Sequence, residues 1–289
     1  MAHVRIVTDS VSYLPTDVVE RYGIRLASLS VVEADRSERE VDMDWPAFYE
    51  RLSKMAKLPT SSQPAPSEFV DIFTEAIEAG EQVCGVFLST GLSGTFGSAE
   101  TARTIVLADH PDAVIEIVDS RFLAMMLGFI VIAAAETAET GGDAAACAET
   151  ARDMTRRGRW LVMPTGLENL RKGGRIGGAS AMVGSALQIL PLLTVQKGKV
   201  DLLKRVRTRR KLLAAAVAFF AEETSRLGLV ECCVQHIELP LEAEDVADMV
   251  AEVVGYRPRI YPVGPVVGLH VGPGTGIAYV TREPIPGAV

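Results

Sequence analysis

The sequence predicts an α/β protein of two domains: a Rossmann-like domain with a parallel sheet over residues 1–155, and an α/β domain with a mixed or antiparallel sheet over residues 156–289. Two observations predict this fold. In the first half, β-branched apolar runs alternate with long helical periods, the pattern of right-handed crossovers. In the second half, strand-like runs follow one another more closely. The 289 residues, of which 48% are hydrophobic, suffice for two cores.

Four apolar runs predict the strands of the first domain. They read VRIV from Val4, RLASLSVV from Arg25, QVCGVFL from Gln82 and VIEIV from Val114. A stretch with helical spacing follows each run, so we expect helices on both faces of a parallel sheet.

The second domain is predicted from six further runs and one hairpin signal. The runs lie at 160–163, 190–195, 200–206, 229–237, 259–263 and 277–280. Lys197-Gly198-Lys199 separates two of them and favours a tight turn, because glycine takes positive φ without strain. A long helix is expected over residues 208–227, on one side of the sheet.

Charge and hydropathy exclude some partners. The net charge is −8, from 29 basic and 37 acidic residues, so we expect no nucleic-acid binding and at most transient contact with anionic membranes. KRVRTRRK at 204–211 is a local basic segment, with a smaller group at Arg171, Lys172 and Arg175. The uncharged run at 122–135 is too short to span a bilayer and reads as a buried helix.

The cysteines indicate a reducing compartment. Four occur, without the CxxC spacing of a metal or redox site, at positions 84, 147, 232 and 233. No basic-then-apolar export signal follows Met1. We therefore expect a cytoplasmic protein.

Small hydroxyl residues recur where the strands of the parallel sheet end. TDS at 8–10 follows the first strand, STGLSGT at 89–95 the third and DS at 119–120 the fourth. Ligands of such sheets bind at the carboxyl ends of the strands. The Asp-Ser pairs read more readily as helix caps. In LSGT, however, Ser93, Gly94 and Thr95 stand at a predicted helix start and suit an anion.

Two further segments offer polar groups. In LPTSSQPAPSEF, prolines at 59, 64 and 66 stiffen a loop that presents Thr60 and Ser61, and Ser67 reads as a helix cap. Near the end, His270 precedes a Gly-Pro-Gly turn in HVGPG. A lone histidine is usually structural, but one on such a turn can face a cleft.

The motifs TDS, T/S-S-Q-P, LSGT, VDS, LxxLRKGGRIG and HVGPG occur in the order and spacing of the DegV family, which this chain resembles over essentially its whole length. The resemblance implies a two-domain carrier with a long-chain fatty acid in a cleft and tunnel between the domains. It further implies that the protein is not catalytic and has no cofactor. A separate ATP-dependent fatty acid kinase would phosphorylate the bound carboxylate for phospholipid metabolism in bacteria.

The resemblance also implies roles for individual residues. Ser61 and Ser93 would hold the carboxylate within the segments 60–61 and 93–95, with His270 nearby. The family usually has threonine where this chain has Ser61, and Thr60 precedes it, so either hydroxyl could donate. Arg207, and Arg175 with less support, would face the phosphoryl group or the kinase.

Other functions have weaker signatures. A serine hydrolase could use Ser93, His270 and Asp119, but a nucleophile elbow needs Gly-x-Ser-x-Gly and position 95 is threonine. GxxxxGK[ST] is absent and no GxGxxG follows the first strand, so nucleotide binding is not predicted. A plain interaction module stays open. The residues that would line the fatty acid tail can equally well be ordinary core residues. These candidates are Phe122, Met125, Met126, Met182 and Leu187.

Overall fold

The computed structural model describes residues 3–34, 36–55, 57–182 and 189–288, without the side chains of residues 181 and 182. The chain divides into two compact units. The first unit comprises Met1–Asp42 and Ser61–Thr155, and the second comprises Met43–Thr60 and Arg156–Val289. By this division residues 43–60, assigned to the first domain from the sequence, lie in the same unit as residues 156–289.

The strands and helices are numbered in chain order. The strands are β1 Val4–Asp9, β2 Arg25–Ala27, β3 Ser30–Glu33, β4 Arg36–Arg39, β5 Thr60–Ser62, β6 Gln82–Phe87, β7 Ile115–Asp119, β8 Gly158–Pro164, β9 Leu190–Gln196, β10 Lys199–Val206, β11 Leu229–Ile237, β12 Arg259–Pro262 and β13 Gly274–Thr281. The helices are α1 Thr16–Tyr22, α2 Trp45–Leu52, α3 Pro66–Glu78, α4 Thr95–Asp109, α5 Ala124–Glu139, α6 Ala144–Arg157, α7 Glu168–Lys172, α8 Arg209–Leu227, α9 Pro240–Val254 and α10 Pro265–Val271. Short 3-10 turns lie at Ser10–Ser12, Glu40–Asp42 and Gly177–Met182.

The first unit contains the predicted parallel sheet, in the order β2-β1-β6-β7. The run that begins at Arg25 supplies two strands instead of one, because β3 joins a separate sheet of order β4-β3-β5. Residues distant in sequence bond the backbone at the break: the backbone N–H of Ser28 donates to Glu68 and that of Leu29 donates to the Ser10 hydroxyl.

Apolar side chains from α3, α4 and the parallel sheet form one core cluster of the first unit. Helix α5 contacts β1 and β6, and its first eight residues are buried, which confirms the buried helix predicted for 122–135. Phe122, Met125 and Met126 are buried there. Leu187 and the side chain of Met182 lie outside the described residues. The helix cap predicted at Ser67 is wrong, because α3 begins one residue earlier, at Pro66, a residue suited to a first helical turn.

The second unit contains a six-stranded sheet in the order β10-β9-β8-β13-β11-β12. Its strands pair antiparallel except for β11 with β12, which makes the sheet mixed as predicted. Helices α8 and α9 pack against it in a shared apolar core. Lys197 and Gly198 form the two-residue turn between β9 and β10 with φ of 49° and 73°, as a type I′ hairpin requires.

An ion pair is buried in the second unit. Arg159 donates to Glu223 from Nε at 2.9 Å and from Nη2 at 2.8 Å, and the Tyr279 hydroxyl donates to the same carboxylate at 2.7 Å. The side chains of Arg159 and Glu223 are 6% and 7% exposed. Three hydrogen-bond donors therefore offset the desolvation cost of the buried Glu223 carboxylate.

The segment 43–60 is anchored to the second unit through α2. The Tyr49 hydroxyl lies 2.7 Å from the carbonyl oxygen of Val263 and 2.9 Å from that of Gly264. A Cβ atom at Gly268 would lie 2.0 Å from this hydroxyl, so α10 approaches α2 closely only because residue 268 has no side chain. More than 200 residues separate these partners in sequence, and local patterns therefore did not predict the contact.

Among the described residues, no helix is both long and apolar enough to cross a membrane.

Candidate functional site

Three of the motifs meet at the carboxyl edge of the parallel sheet in the first unit. TDS ends β1, LSGT follows β6 and VDS ends β7, and these strands are parallel neighbours. Hydrogen bonds link the strand ends. Asp9 Oδ2 accepts from the backbone N–H of Leu88 at 2.7 Å, and Asp119 Oδ2 accepts from the Thr90 hydroxyl at 2.7 Å.

The LSGT segment forms a tight turn that leads into α4. The backbone N–H groups of Leu92 and Ser93 both donate to the carbonyl oxygen of Ser89, at 3.0 and 3.1 Å. Thr95 is the first residue of α4, and Gly94 before it provides no capping side chain. The start of a fifteen-residue helix therefore carries N–H groups that favour an anion.

Ser93 is half-buried in this turn. Its Oγ accepts from the Thr95 backbone N–H at 3.3 Å and lies 2.9 Å from Thr95 Oγ1. When the buried Thr95 hydroxyl is the donor of this pair, the Ser93 proton is directed to another acceptor. Ser93 thus combines a weak capping contact with a hydroxyl that can bind a ligand.

The loop that contains Ser61 lies against the LSGT turn, and Gln63 makes the contact. Gln63 Nε2 donates to the Ser98 hydroxyl of α4 at 2.9 Å. A Cβ atom at Gly94 would lie 2.1 Å from Gln63 Oε1, so this packing requires glycine at position 94. Ser61 is half-buried in β5, whereas Thr60 is exposed. The structure therefore brings the two hydroxyl-bearing segments of the first unit together.

Two buried acids, at the end of β1 and in the 3-10 turn at Glu40–Asp42, were not predicted as site residues from the sequence. Asp9 is fully buried, and burial raises its pKa to about 7, with a further contribution from Glu40. The Glu40 carboxylate accepts from the Ser10 hydroxyl at 2.5 Å and from the Tyr13 hydroxyl at 3.0 Å. Asp9 and Ser10 were noted as a helix cap, but no local pattern marked Glu40.

In the second unit the LRKGGRIG and HVGPG motifs meet. The Asn169 side chain of α7 donates to the Leu269 carbonyl oxygen at 2.9 Å, and Arg175 Nη1 donates to the Gly173 carbonyl oxygen at 2.7 Å. A Cβ atom at Gly173 would lie 2.3 Å from Nδ1 of His270. Burial, together with a smaller contribution from the charge of Arg175, lowers the pKa of His270 to about 4, so this imidazole is neutral at pH 7.

The basic segment 204–211 contains two kinds of cation. Arg209 is engaged: its Nε donates to Glu242 at 2.7 Å and its Nη1 donates to the Pro164 carbonyl oxygen at 3.0 Å. Arg207 is exposed between the end of β10 and Thr208, the residue that caps α8. Within the described part of the chain, Arg207 forms no ion pair. The same holds for the remaining cations of the segment, which are Lys204, Arg205, Arg210 and Lys211.

The serine hydrolase alternative gains no support. The Asp119 carboxylate is occupied within the first unit, where it accepts from Thr90 and from the Arg121 backbone N–H. His270 belongs to the second unit, and its expected place beside the head group stays a prediction. Over the described ranges, no group of three histidine, cysteine or acidic residues could hold a metal ion. All four cysteines are buried free thiols.

Fold and motifs together define a class: a two-unit α/β protein that builds a polar site from loops at the carboxyl edge of a parallel sheet. A sequence model of the DegV family, whose description calls its members uncharacterised proteins, matches residues 3–282. The chain belongs to the DegV family, which confirms the resemblance.

Relatives and solved structures agree with this assignment. A DegV domain-containing protein of Clostridium acetobutylicum is 38% identical over 281 residues, covering 97% of this chain and 98% of the relative. The crystal structure of DegV, a fatty acid binding protein from Bacillus subtilis, is 28% identical, with a TM-score of 0.84 over 97% of this chain and 100% of that one. A DegV family protein from Thermus thermophilus, described for its fatty acid binding, is 28% identical, with a TM-score of 0.83 over 96% and 99% of the two chains.

Proposed function

We propose that this protein binds a long-chain fatty acid by its carboxylate and presents the head group to a separate ATP-dependent kinase. The protein itself breaks no bond, and the kinase forms the acyl-phosphate that enters phospholipid metabolism. The observation that carries the proposal is the contact between the Ser61 loop and the LSGT turn at Gln63 and Gly94. The Bacillus subtilis and Thermus thermophilus relatives, each described as binding fatty acids, support the same ligand.

The energetics suit such a ligand. A sixteen-carbon tail buries about fifteen carbon groups at roughly 0.8 kcal/mol each, or about 12 kcal/mol before ordering costs. Hydrogen bonds to a charged acceptor add about 1.5 to 3 kcal/mol each. The tail therefore dominates affinity, and the hydroxyls mainly fix the orientation of the head group.

The polar residues have complementary roles in this proposal. Ser93 donates to the carboxylate, assisted by the N–H groups at the start of α4, and Ser61 or Thr60 donates from the other segment. His270, neutral at pH 7, provides a hydrogen-bond donor without a competing positive charge. Neutral donors leave the carboxylate a better nucleophile toward ATP than an arginine fork would.

The kinase-facing role falls to the basic segment. Arg207 is exposed at the junction of β10 and α8, on a chain of net charge −8. On an acidic protein, a local group of cations is suited to an anionic partner surface or a transferring phosphoryl group. We propose that Arg207 has this role and that Arg175 assists it. We also propose that the protein acts in the cytoplasm, where ATP is present and the four thiols stay reduced.

Native mass spectrometry of the protein purified from cells tests the ligand. An adduct with the mass of a fatty acid is expected. Ser93→Ala should reduce retention of added palmitate while the melting temperature changes little, and Ser225→Ala on the exposed surface of α8 is the matched control. Protein that is always bare and also refuses added palmitate would contradict the proposal.

The division of roles is tested by reversing one charge. Arg207→Glu should leave palmitate binding unchanged and slow acyl-phosphate formation with a bacterial fatty acid kinase. Arg282→Glu reverses an exposed arginine outside the basic segment and should change neither measurement. Equal loss of binding and phosphorylation in Arg207→Glu would refute the assignment.

A further inference from the structure

Helix α7 contacts α10, the helix that contains His270. The Asn169 side chain of α7 donates from Nδ2 to the carbonyl oxygen of Leu269 at 2.9 Å. A Cβ atom at Gly272, the residue after α10, would lie 3.1 Å from the Asn169 side chain. Leu269 precedes His270 in sequence and Gly272 follows it. Asn169 therefore contacts the last turn of α10 on both sides of the residue that carries the imidazole.

The end of α7 lies against the imidazole itself. Gly173 follows the last residue of α7, and its backbone N–H donates to the Asn169 carbonyl oxygen at 2.8 Å. A Cβ atom at Gly173 would lie 2.3 Å from Nδ1 of His270 and 3.1 Å from the Asn169 carbonyl oxygen, and a small shift relieves only the second contact. Residue 173 has φ of −75° and ψ of −8°, which any residue can adopt. Glycine is therefore needed here for the space that His270 occupies, and not for the backbone conformation.

The pKa of His270 reports on its position beside α7. Burial is the main cause of its lowered pKa, and the charge of Arg175 contributes to it. Arg175 lies beyond the end of α7, and its Nη1 donates to the Gly173 carbonyl oxygen at 2.7 Å. One short segment thus contains both the glycine that borders the imidazole and the cation that acts on it. An imidazole displaced into water would regain a higher pKa.

We propose that Asn169 and Gly173 are positioning residues for His270. The Asn169 amide fixes the last turn of α10, and Gly173 leaves the space that sets the orientation of the imidazole. This inference rests on the proposed function, in which His270 donates to the carboxylate. Asn169 and Gly173 act on that ligand only through His270, because a displaced imidazole no longer offers its donor in the same direction.

Gly173→Ala displaces the imidazole and leaves the backbone unstrained. Since the added Cβ atom cannot stay 2.3 Å from Nδ1, the His270 side chain must move. We expect the pKa of His270, followed by its imidazole NMR signals, to rise from about 4 toward its ordinary value of 6.5, because the ring is less buried. Palmitate should dissociate about tenfold faster, with little change in melting temperature. The signals of His270 are those absent from His270→Gln.

Gly166→Ala is the matched control. Residue 166 lies just before α7 in the same unit, its φ is not positive, and an added Cβ atom would meet no other described atom within 4 Å. This variant should keep the wild-type titration of His270 and the wild-type dissociation rate. An unchanged pKa of His270 in Gly173→Ala, or the same rise in Gly166→Ala, would overturn the positioning role of Gly173.

Asn169→Leu tests the role of the amide, also if Gly173→Ala fails to fold. The substitution removes the donor to Leu269, introduces no charge and keeps a branched side chain of similar size. We expect a raised pKa of His270 and faster amide exchange at Gly272, whose N–H donates to the Gly268 carbonyl oxygen at 2.8 Å in wild type. Wild-type titration and exchange in this variant would exclude a positioning role for Asn169.

Two outcomes separate this inference from the proposed function. A raised pKa of His270 in Gly173→Ala with unchanged palmitate dissociation would support the positioning of the imidazole and refute its role as a donor to the carboxylate. Wild type that binds no palmitate would refute the proposed function. The titration of His270 would still decide whether α7 positions the imidazole.

Discussion

Gly94→Ala should impair ligand binding while leaving the fold nearly as stable as before. The added Cβ atom would lie 2.1 Å from Gln63 Oε1, so the Gln63 side chain must move and lose its 2.9 Å hydrogen bond to Ser98. That bond contributes about 0.5 to 1.5 kcal/mol. Alanine should also stabilise the folded state by about 0.4 to 1 kcal/mol, because it restricts the unfolded chain and residue 94 has an ordinary φ of −85°. We therefore expect the unfolding free energy to change by less than about 1 kcal/mol.

Binding should respond more strongly, because the displaced Gln63 separates the Ser61 loop from the LSGT turn. Loss of one hydrogen bond to a charged head group, about 1.5 to 3 kcal/mol, weakens palmitate binding by about tenfold or more. Displacement of a fluorescent fatty acid measures this, and thermal unfolding measures stability in the same samples. Gln63→Ala added to Gly94→Ala should recover part of the affinity. Binding equal to wild type in Gly94→Ala, or no recovery in the double variant, would refute the steric argument.

Three further predictions concern stability. Glu223→Gln should cost about 3 to 5 kcal/mol in urea unfolding, because it leaves the Arg159 charge buried without its counter-ion; a loss below about 1 kcal/mol would contradict the role of this ion pair. Gly198→Ala should cost about 1 kcal/mol, because its φ of 73° strains any residue with a Cβ atom, and an unchanged unfolding midpoint would argue against the type I′ turn. Burial raises the pKa of Asp9 from 3.8 to about 7, so the folded protein binds a proton that the unfolded chain releases between these values. As pH rises from about 4 to about 7, the unfolding free energy of wild type should therefore fall by a few kcal/mol relative to that of Asp9→Asn. A pH-independent difference between the two would show that Asp9 does not titrate in this range.

The fold was largely predictable because its main elements carry local signals. The run VRIV from Val4, the turn at Lys197-Gly198 and the long helix with its cap at Thr208 each follow from period or turn chemistry. The run from Arg25 misled, since its division into β2 and β3 depends on Glu68 and Ser10, which reach it from elsewhere in the chain. Tertiary contacts of this kind leave no trace in a periodic pattern.

Some residues of the candidate site also carry local sequence signals, and others do not. Ser93 and Thr95 stand out because hydroxyls and glycines cluster at a strand-to-helix junction, the general location of ligands in parallel sheets. Gln63 belongs to a predicted motif, but its packing against Gly94 was not predictable, and Glu40 did not stand out, because its bond to Ser10 joins residues distant in sequence. In KRVRTRRK, composition alone did not separate Arg209, held by Glu242, from the exposed Arg207.

The anchoring of α2 affects how the chain folds during synthesis. Phe48 and Tyr49 are buried, yet the carbonyl oxygens that Tyr49 bonds lie 214 and 215 residues further along. A nascent polypeptide that has emerged only to residue 155 therefore carries an amphipathic helix whose docking surface has not yet left the ribosome. We expect this helix to attract chaperones until the last strands of the second unit are made, and neither half of the gene, expressed alone, to yield a fully packed product.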